Sequence, residues 1–249
     1  MNLNILKLGS LAALMANKAN YLAERNSIFS NTFDAIGKLC FVAIVVLIAT
    51  ISNSVFADPD MLQDVCVADL NSVVKLNGFA CLPSFTASDF FFAGLAKPGL
   101  TNNSLGSAVT PANVMQIPGL NTLGVSMARI DFAPGGLNPP HTHPRASEIL
   151  FLLSGQLDVG FITTANVLVT MTIYEGQIFT FPKGLVHFQQ NNGNVPAVAI
   201  SGLNSQNPGV QVIAKSLFAA TPSVPDNVLA TAFQIDTYEV DQIKSKLAA

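Results

Sequence analysis

The amino-acid sequence predicts an all-β domain, a single antiparallel β-sandwich or barrel with short C-terminal helices. From about residue 119 onward, short apolar runs follow one another at close, regular spacing. Turn sequences such as Ser154-Gly155 and Asn192-Gly193 separate these runs. Many short strands at such spacing are typical of antiparallel sandwiches and barrels, whereas βαβ units need long intervening helices. Only the tail of the chain changes to a helical period.

The predicted strands come in chain order, with the barrel assigned to residues 119–221. They are Gly124–Phe132, Glu148–Leu153, Leu157–Ile162, Val167–Ile173, Gln177–Phe181, Val186–Gln190 and Ala197–Ser201.

Residues 222–249 are predicted to form two short helices. Apolar residues recur there at helical spacing from Pro225 onward, and the pattern breaks near Asp236-Thr237. Their apolar faces are large for a chain end, which predicts packing against another subunit.

The segment before residue 58 carries a predicted secretory signal. Leu39–Ala57 contains no charged residue and ends in Val-Phe-Ala, a sequence suited to signal peptidase. Its apolar part is shorter than the roughly 20 residues of a membrane-spanning helix. We therefore interpret residues 38–57 as a secretory signal cleaved after Ala57, with an uncleaved signal anchor as the alternative. Residues 1–37 form a leader of unknown status: an extended n-region, a second targeting element, or the product of an upstream start codon.

The predicted mature chain, Asp58–Ala249, is long enough for one domain with a proper core. It has eight Lys and Arg against thirteen Asp and Glu, a net charge of −5, and no basic run. Phosphate binding needs clustered cations, so the composition argues against nucleic acid as a partner.

Residues 58–118 are predicted to form an N-terminal arm with a disulfide loop. In an oxidising compartment Cys66 and Cys81 are expected to form a bridge worth about 3 kcal/mol; two buried free thiols are the alternative. A Gly/Asn/Ser/Pro-rich connector covers residues 97–118. It contains the sequon Asn102-Asn103-Ser104 in a polar stretch, which makes Asn102 a candidate glycosylation site.

The chain has three histidines, and all of them fall in two blocks framed by Gly and Pro. His141 and His143 are two residues apart, so in an extended strand they point to the same face. Glu148 begins an otherwise apolar run, where a carboxylate needs a partner or solvent. His187 follows a Pro-x-Gly turn. Each residue alone has a simpler explanation as a surface or core residue, but together they predict one metal site.

Three imidazoles and one carboxylate, without thiolates, suit Mn, Fe, Co, Ni or Zn. Four protein ligands leave two positions open on an octahedral ion. Open positions are characteristic of a catalytic metal, whereas a structural zinc closes its tetrahedron.

The two blocks resemble the two cupin motifs, G-x5-H-x-H-x4-E-x6-G and G-x5-P-x-G-x2-H-x3-N, without a gap. The mature chain further resembles the germins and germin-like proteins of plants. The similar segments are Asp58–Asp60, Leu62–Leu70, Asn77–Cys81, Asn121–Met127 and Ser205–Gly209.

This resemblance implies a cupin β-jellyroll barrel with C-terminal helices. It implies an apoplastic, glycosylated homohexamer, assembled as a trimer of dimers. It also implies manganese held by the positions that match His141, His143, Glu148 and His187.

The function expected from this resemblance is a secreted manganese superoxide dismutase that makes hydrogen peroxide in plant defence, with superoxide or another small anion as substrate. Asn138 is a candidate polar group over the open face of the metal, and capping of the Gly-Gly turn is its alternative role. Oxalate oxidase, the activity of the true germins, is less favoured, because one of two asparagines that hold oxalate there matches Ala128 here. The alternative from another class is a non-catalytic protein of the apoplast in wall binding, receptor-like binding or storage.

Overall fold

The structure is a computed structural model, which describes residues 15, 17, 18, 20, 25, 63–75 and 78–248. The chain divides into two compact units, Met1–Val55 and Phe56–Ala249. In the first unit the five described residues are helical. The predicted signal at 38–57 and its cleavage site lie outside the described residues. In the part of the chain that is described, no helix is long and apolar enough to cross a membrane.

The second unit is built mainly from ten β-strands. In chain order they are β1 (Ser107–Ala112), β2 (Ser126–Phe132), β3 (Leu137–Thr142), β4 (Glu148–Ser154), β5 (Gln156–Ile162), β6 (Leu168–Tyr174), β7 (Ile178–Phe181), β8 (His187–Gln190), β9 (Ala197–Leu203) and β10 (Gln211–Val212).

The strands form two five-stranded sheets in which every pairing is antiparallel. The first sheet has the order β1-β2-β9-β4-β7, and the second has the order β10-β3-β8-β5-β6. The predicted all-β class is confirmed. The sheet orders also show that strands distant in the sequence become neighbours, as β2 and β9 do.

The main core lies between the two sheets, because both contribute to one buried apolar cluster. β4 alternates strictly, with Leu150 and Leu152 buried and Ile149 and Phe151 facing outward. The cluster consists of Ile130, Phe132, Leu150, Leu152, Leu157, Val159, Ile173, Phe181, Ala197 and Ala199. Alternation of this kind is the period-2 pattern that predicted the strands.

The helices form a second, smaller core at the chain end. α1 (Ile213–Phe218) follows β10 directly, and α2 (Asp226–Phe233) and α3 (Thr237–Leu247) follow it. Asp236 caps α3 by accepting a hydrogen bond from the Glu239 N–H, which explains the break predicted near residue 236. The buried residues of this core are Phe218, Leu229 and Val240. Short 3-10 helices cover Ala87–Phe90, Gly94–Ala96 and Pro118–Leu120.

The strands β1 and β10, the helix α1 and the three short 3-10 helices were not predicted. Ser107–Ala112, expected within the connector, forms β1 and pairs along its whole length with β2. The expectation of a loop was wrong there, because Pro111 and the polar residues weaken the strand pattern. A proline is nevertheless tolerated in β1, since this strand lies at the edge of its sheet. β10 and α1 were also missed, since two residues and six residues are too short for a periodic signal.

Two glycines set the entry to the strands that carry histidines. Gly135 precedes β3 with φ +77°, and Gly184 precedes β8 with φ +77°. Side chains other than glycine rarely adopt this left-handed region, so a Cβ at either position strains the turn. These turns direct the chain into β3, which carries His141, and into β8, which carries His187.

Candidate metal centre

The four predicted ligands come together between the two sheets. His141 lies at the end of β3 and pairs across the second sheet with His187 at the start of β8. Glu148 begins β4 in the first sheet and faces them. All four ligands are buried, with exposures of 3% for His141, 8% for His143, 3% for Glu148 and 1% for His187. The site is thus formed by tertiary contact between sheets, not by one segment.

The strand that brings His141 into the site is irregular. The ladder between β3 and β8 shifts register between Asn138 and His141, because Pro139 and Pro140 have no N–H to donate. The sequence predicted His141 and His143 on one extended strand. β3 ends at Thr142, so His143 is the first residue after it, yet both imidazoles still reach the same site.

Each imidazole is held by a backbone carbonyl. Nδ1 of His141 lies 2.8 Å from the Pro139 carbonyl oxygen, and Nδ1 of His187 lies 2.8 Å from that of Leu185. Nδ1 of His143 lies 2.6 Å from the Gly209 carbonyl oxygen. A carbonyl only accepts, so every Nδ1 carries the proton, and in the neutral imidazole it is Nε2 that presents the lone pair. This arrangement is the one that metal-binding histidines require.

The free Nε2 atoms converge on the carboxylate. Glu148 Oε2 lies 3.0 Å from His143 Nε2 and 3.3 Å from His187 Nε2. One ligand atom from each of the four residues falls within 4.8 Å of the other three. The His187 ring is also stacked on Phe181, with ring centroids 4.6 Å apart, which limits its rotation.

The electrostatics favour a neutral imidazole at His141, a protonated imidazole at His143 and an ionised carboxylate at Glu148. Burial, together with neighbouring His187, lowers the pKa of His141 to about 4. Burial also opposes protonation of His143, but the hydrogen bond and charge of Glu148 outweigh it and raise the His143 pKa. Burial on its own raises the Glu148 pKa, yet hydrogen bonds from His143, His187 and Ser201 hold that pKa well below its ordinary value.

These residues fit a divalent transition metal. The group offers three imidazole nitrogens and one ionised oxygen, all buried, with the histidine tautomers already set by carbonyls. A buried carboxylate surrounded by nitrogen lone pairs is costly unless a cation or proton lies among them. By its donor chemistry, this group of four residues is a candidate metal-binding site.

A cavity of about 490 Å³ is lined by three of the four candidate ligands, His141, His143 and Glu148. Its walls are largely apolar, with contributions from Val109, Ile130 and Leu203. Asn138 and Ala128, the two positions singled out for the substrate side, both line it. His141, His143 and Glu148 therefore border a space that can hold a small molecule.

The Asn138 side chain takes part in the cavity wall. Its Nδ2 donates to Gln189 Oε1 at 2.7 Å. The Gly-Gly turn, which Asn138 was alternatively predicted to cap, is held by Asn191: Asn191 Nδ2 donates to the Ala133 carbonyl, and the Gly135 N–H donates to the Asn191 carbonyl.

Two polar residues of the site were missed in the sequence. Gln189 is fully buried and holds Asn138, while Ser201 is 1% exposed and donates to Glu148 Oε1 at 2.5 Å. Gln189 lies two residues after His187 and thus on the same strand face, a signal that was present. Ser201 ends a predicted strand, and nothing local in the sequence connects it with Glu148.

The remaining predicted sites lie away from the metal group. Cys66 and Cys81 form a disulfide with an S–S distance of 2.00 Å and a Cα–Cα distance of 4.8 Å. Asn102 is exposed in a loop before β1, a position open to a glycan. The disulfide is a feature of oxidising compartments.

Comparison with known proteins gives a consistent family. The Cupin family matches residues 93–241. The chain is 63% identical to germin-like protein 5-1 of Oryza sativa subsp. japonica over 210 residues, covering 84% of this chain and 95% of that one. It is 67% identical to nectarin-1 of Nicotiana langsdorffii x Nicotiana sanderae over 192 residues, covering 77% of this chain and 84% of that one.

Among solved structures, a recombinant oxalate oxidase in complex with glycolate superposes with a TM-score of 0.74 at 45% identity. The match covers 77% of this chain and 98% of that one. The two antiparallel sheets, the buried His/Glu group and these similarities lead to one conclusion. The chain belongs to the cupin family and, within it, to the germin-like proteins.

Proposed function

We propose that the protein is a manganese-dependent superoxide dismutase. Two superoxide ions and two protons give one hydrogen peroxide and one dioxygen. The observation that carries the proposal is the buried group of three histidines and one glutamate beside an open cavity. His141, His143, Glu148 and His187 would hold the manganese, which supplies one-electron oxidation and reduction when bound.

The charges of the site suit an anionic substrate. The low pKa of His141 keeps its imidazole neutral at neutral pH, and the ionised Glu148 contributes one negative charge. Four ligands with a total charge of −1 around a divalent cation leave the centre with a net charge of +1. In a buried site with low dielectric this charge attracts a small anion more strongly than it does in water.

The cavity also supplies a polar contact for the substrate. Asn138 donates one amide hydrogen to Gln189 Oε1, which fixes the side chain in place, and its second amide hydrogen remains available as a donor. A hydrogen bond from this second amide hydrogen to a bound anion is stronger in the largely apolar cavity than in water. Asn138 thus orients an anion or peroxide next to the ligands.

The proposal extends to where the protein acts and how it is assembled. The protein is exported through the signal at 38–57, carries a glycan on Asn102, and acts in the apoplast as a homohexamer with contacts to the cell wall. The Cys66–Cys81 disulfide and the exposure of Asn102 support this setting.

The test measures metal content and superoxide dismutation on one secreted preparation. The wild-type protein is compared with His141→Ala/His143→Ala, which removes two ligands. We expect near-stoichiometric manganese and dismutation in the wild type, and neither in the variant. Manganese without dismutation above that of free manganese ions contradicts the enzyme and favours a non-catalytic apoplastic role in binding or storage.

Oxalate oxidation is the second candidate, because an oxalate oxidase is 45% identical to this chain and has a similar fold. Ala128 argues against it. Its methyl group lines the cavity where the resemblance to germins calls for an asparagine, and a missing hydrogen bond to an anion costs about 1–3 kcal/mol. Release of peroxide from oxalate by the manganese-loaded protein would favour this second activity.

A further inference from the structure

Ser201 connects a neighbouring strand to the carboxylate of the metal centre. It lies on β9, which pairs with β4, and its side chain lines the cavity beside the ligands. Its Oγ donates to Glu148 Oε1 at 2.5 Å, and Ser201 is 1% exposed. The two oxygens of Glu148 therefore have different environments: Oε1 faces the serine, and Oε2 faces the Nε2 atoms of His143 and His187.

We propose that Ser201 is a positioning residue that reserves Glu148 Oε2 for the metal. This inference rests on the proposed function, since it needs a metal among the four ligands. The hydroxyl occupies Oε1 and stops the carboxylate from turning, so Glu148 binds through one oxygen. The hydrogen bond to an ionised carboxylate is charge-assisted, so it is stronger than a bond between neutral groups.

Burial makes this hydrogen bond consequential. Ser201 is 1% exposed and Glu148 is 3% exposed, so the hydroxyl, and not bulk solvent, is the donor that satisfies Oε1. A buried carboxylate oxygen that loses its donor is left unsatisfied, and Glu148 is then free to turn away from the position in which Oε2 faces His143 and His187. Cross-strand neighbours of Ser201 are the apolar Ala128 and Leu150, which supply no substitute donor.

The same cavity contains a matched control. Ser126, on β2, is 4% exposed and lines the cavity as Ser201 does. Its Oγ has no hydrogen-bond partner among the described residues. Ser126→Ala removes the same atom from the same cavity without removing a bond to a ligand.

The experiment titrates the full secreted protein with Mn²⁺ and follows free Mn²⁺ by electron paramagnetic resonance. Ser201→Ala is compared with the wild type, with Ser126→Ala, and with Ser201→Thr, which retains a hydroxyl. We expect Ser201→Ala to bind Mn²⁺ about 10–100-fold more weakly, the usual cost of losing a partner of a metal ligand. We expect Ser201→Thr and Ser126→Ala to bind Mn²⁺ with the affinity of the wild type.

A second readout separates positioning from general packing. The bound-manganese spectrum and its midpoint potential are measured for each variant at saturating metal. Loss of the Ser201 hydroxyl lets Glu148 turn, so the midpoint potential and the spectrum of the bound manganese change in Ser201→Ala alone.

Equal affinity and potential in Ser201→Ala and the wild type overturn this inference while leaving the proposed function intact. Equal losses in Ser201→Ala and Ser126→Ala overturn it as well, because they indicate a packing effect. A wild-type protein that binds no Mn²⁺ overturns the proposed function and this inference together.

Discussion

The two ends of the space between the sheets differ sharply, although the same strands line both. On β4 the inward residues are Glu148 at one end and Leu150 and Leu152 farther along. On β9 Ser201 lies towards the polar end, whereas Ala197 and Ala199 belong to the apolar cluster. One end is filled by the apolar side chains of the core cluster. At the other end a carboxylate and three imidazoles lie beside a cavity.

This difference separates the residues that stabilise the fold from the residues of the candidate metal site. Apolar burial stabilises the domain wherever it occurs, at about 25 cal/mol per Å². Burial of Glu148 with three histidines costs free energy unless each polar atom is satisfied. The polar end is thus retained for its ligand chemistry, and the apolar end supplies the stability that tolerates it. Substitutions at the two ends test this division.

The largest effect is expected for His141→Ala/His143→Ala at the polar end. Loss of a partner of a ligand already costs about 10–100-fold in metal affinity, so loss of two ligands is expected to cost more than about 1000-fold. The metal-free variant should still unfold cooperatively, because the apolar cluster is untouched. Metal titration and thermal unfolding of the same samples check both statements. Collapse of the metal-free fold would contradict the division between the two ends.

Removal of the metal from the wild type is expected to lower its stability by about 4 kcal/mol, when compared with metal at 1000 times the dissociation constant. The physical reason is that the ion binds the assembled ligands and not the unfolded chain. Denaturant unfolding with chelator and with Mn²⁺ measures the difference. The His141→Ala/His143→Ala variant is the control and should show no such gain.

Leu152→Ala tests the apolar end. Leu152 is fully buried in the cluster, and truncation of such a leucine lowers the free energy of unfolding by about 2–5 kcal/mol through lost burial and a residual cavity. The neighbouring Leu153 is 43% exposed, so Leu153→Ala is a matched control with a far smaller expected loss. Denaturant unfolding measures both, and Mn²⁺ affinity should remain at the wild-type value. A large loss of affinity would show that the two ends are coupled.

The smallest effect is expected for Ala128→Asn, which adds an amide to the cavity wall. A new hydrogen bond to a bound anion is worth about 1 kcal/mol, or roughly fivefold in affinity for oxalate. Ala128→Leu fills similar volume without an amide and is the control. Inhibition of dismutation by oxalate measures the affinity of each protein. Equal gains for both variants would mean that volume, not the amide, controls anion binding.

Much of the architecture was predictable because its signals are local. Alternation in β4 and β9, and glycines such as Gly155 between strands, indicate strands and turns from a few residues at a time. The break before Thr237 is likewise local, since Asp236 caps the helix that follows. β1 escaped prediction because Pro111 and polar residues weaken its pattern, and its pairing with β2 supplies what its own sequence lacks.

By itself the sequence determined the all-β class, most of the strands, the helical tail and the four residues of the candidate metal site, because short segments carry the spacing and the residue chemistry on which these predictions depend. Only the tertiary structure decided how those positions meet. It placed Glu148 opposite His141 and His187 across two sheets, supplied the carbonyl of Gly209 for His143, and set Ser201 against the carboxylate. The contacts of Glu148 with His187 and Ser201, and of His143 with the Gly209 carbonyl, join residues 39 to 66 positions apart, and the pairing of whole strands determines them, which no local pattern encodes.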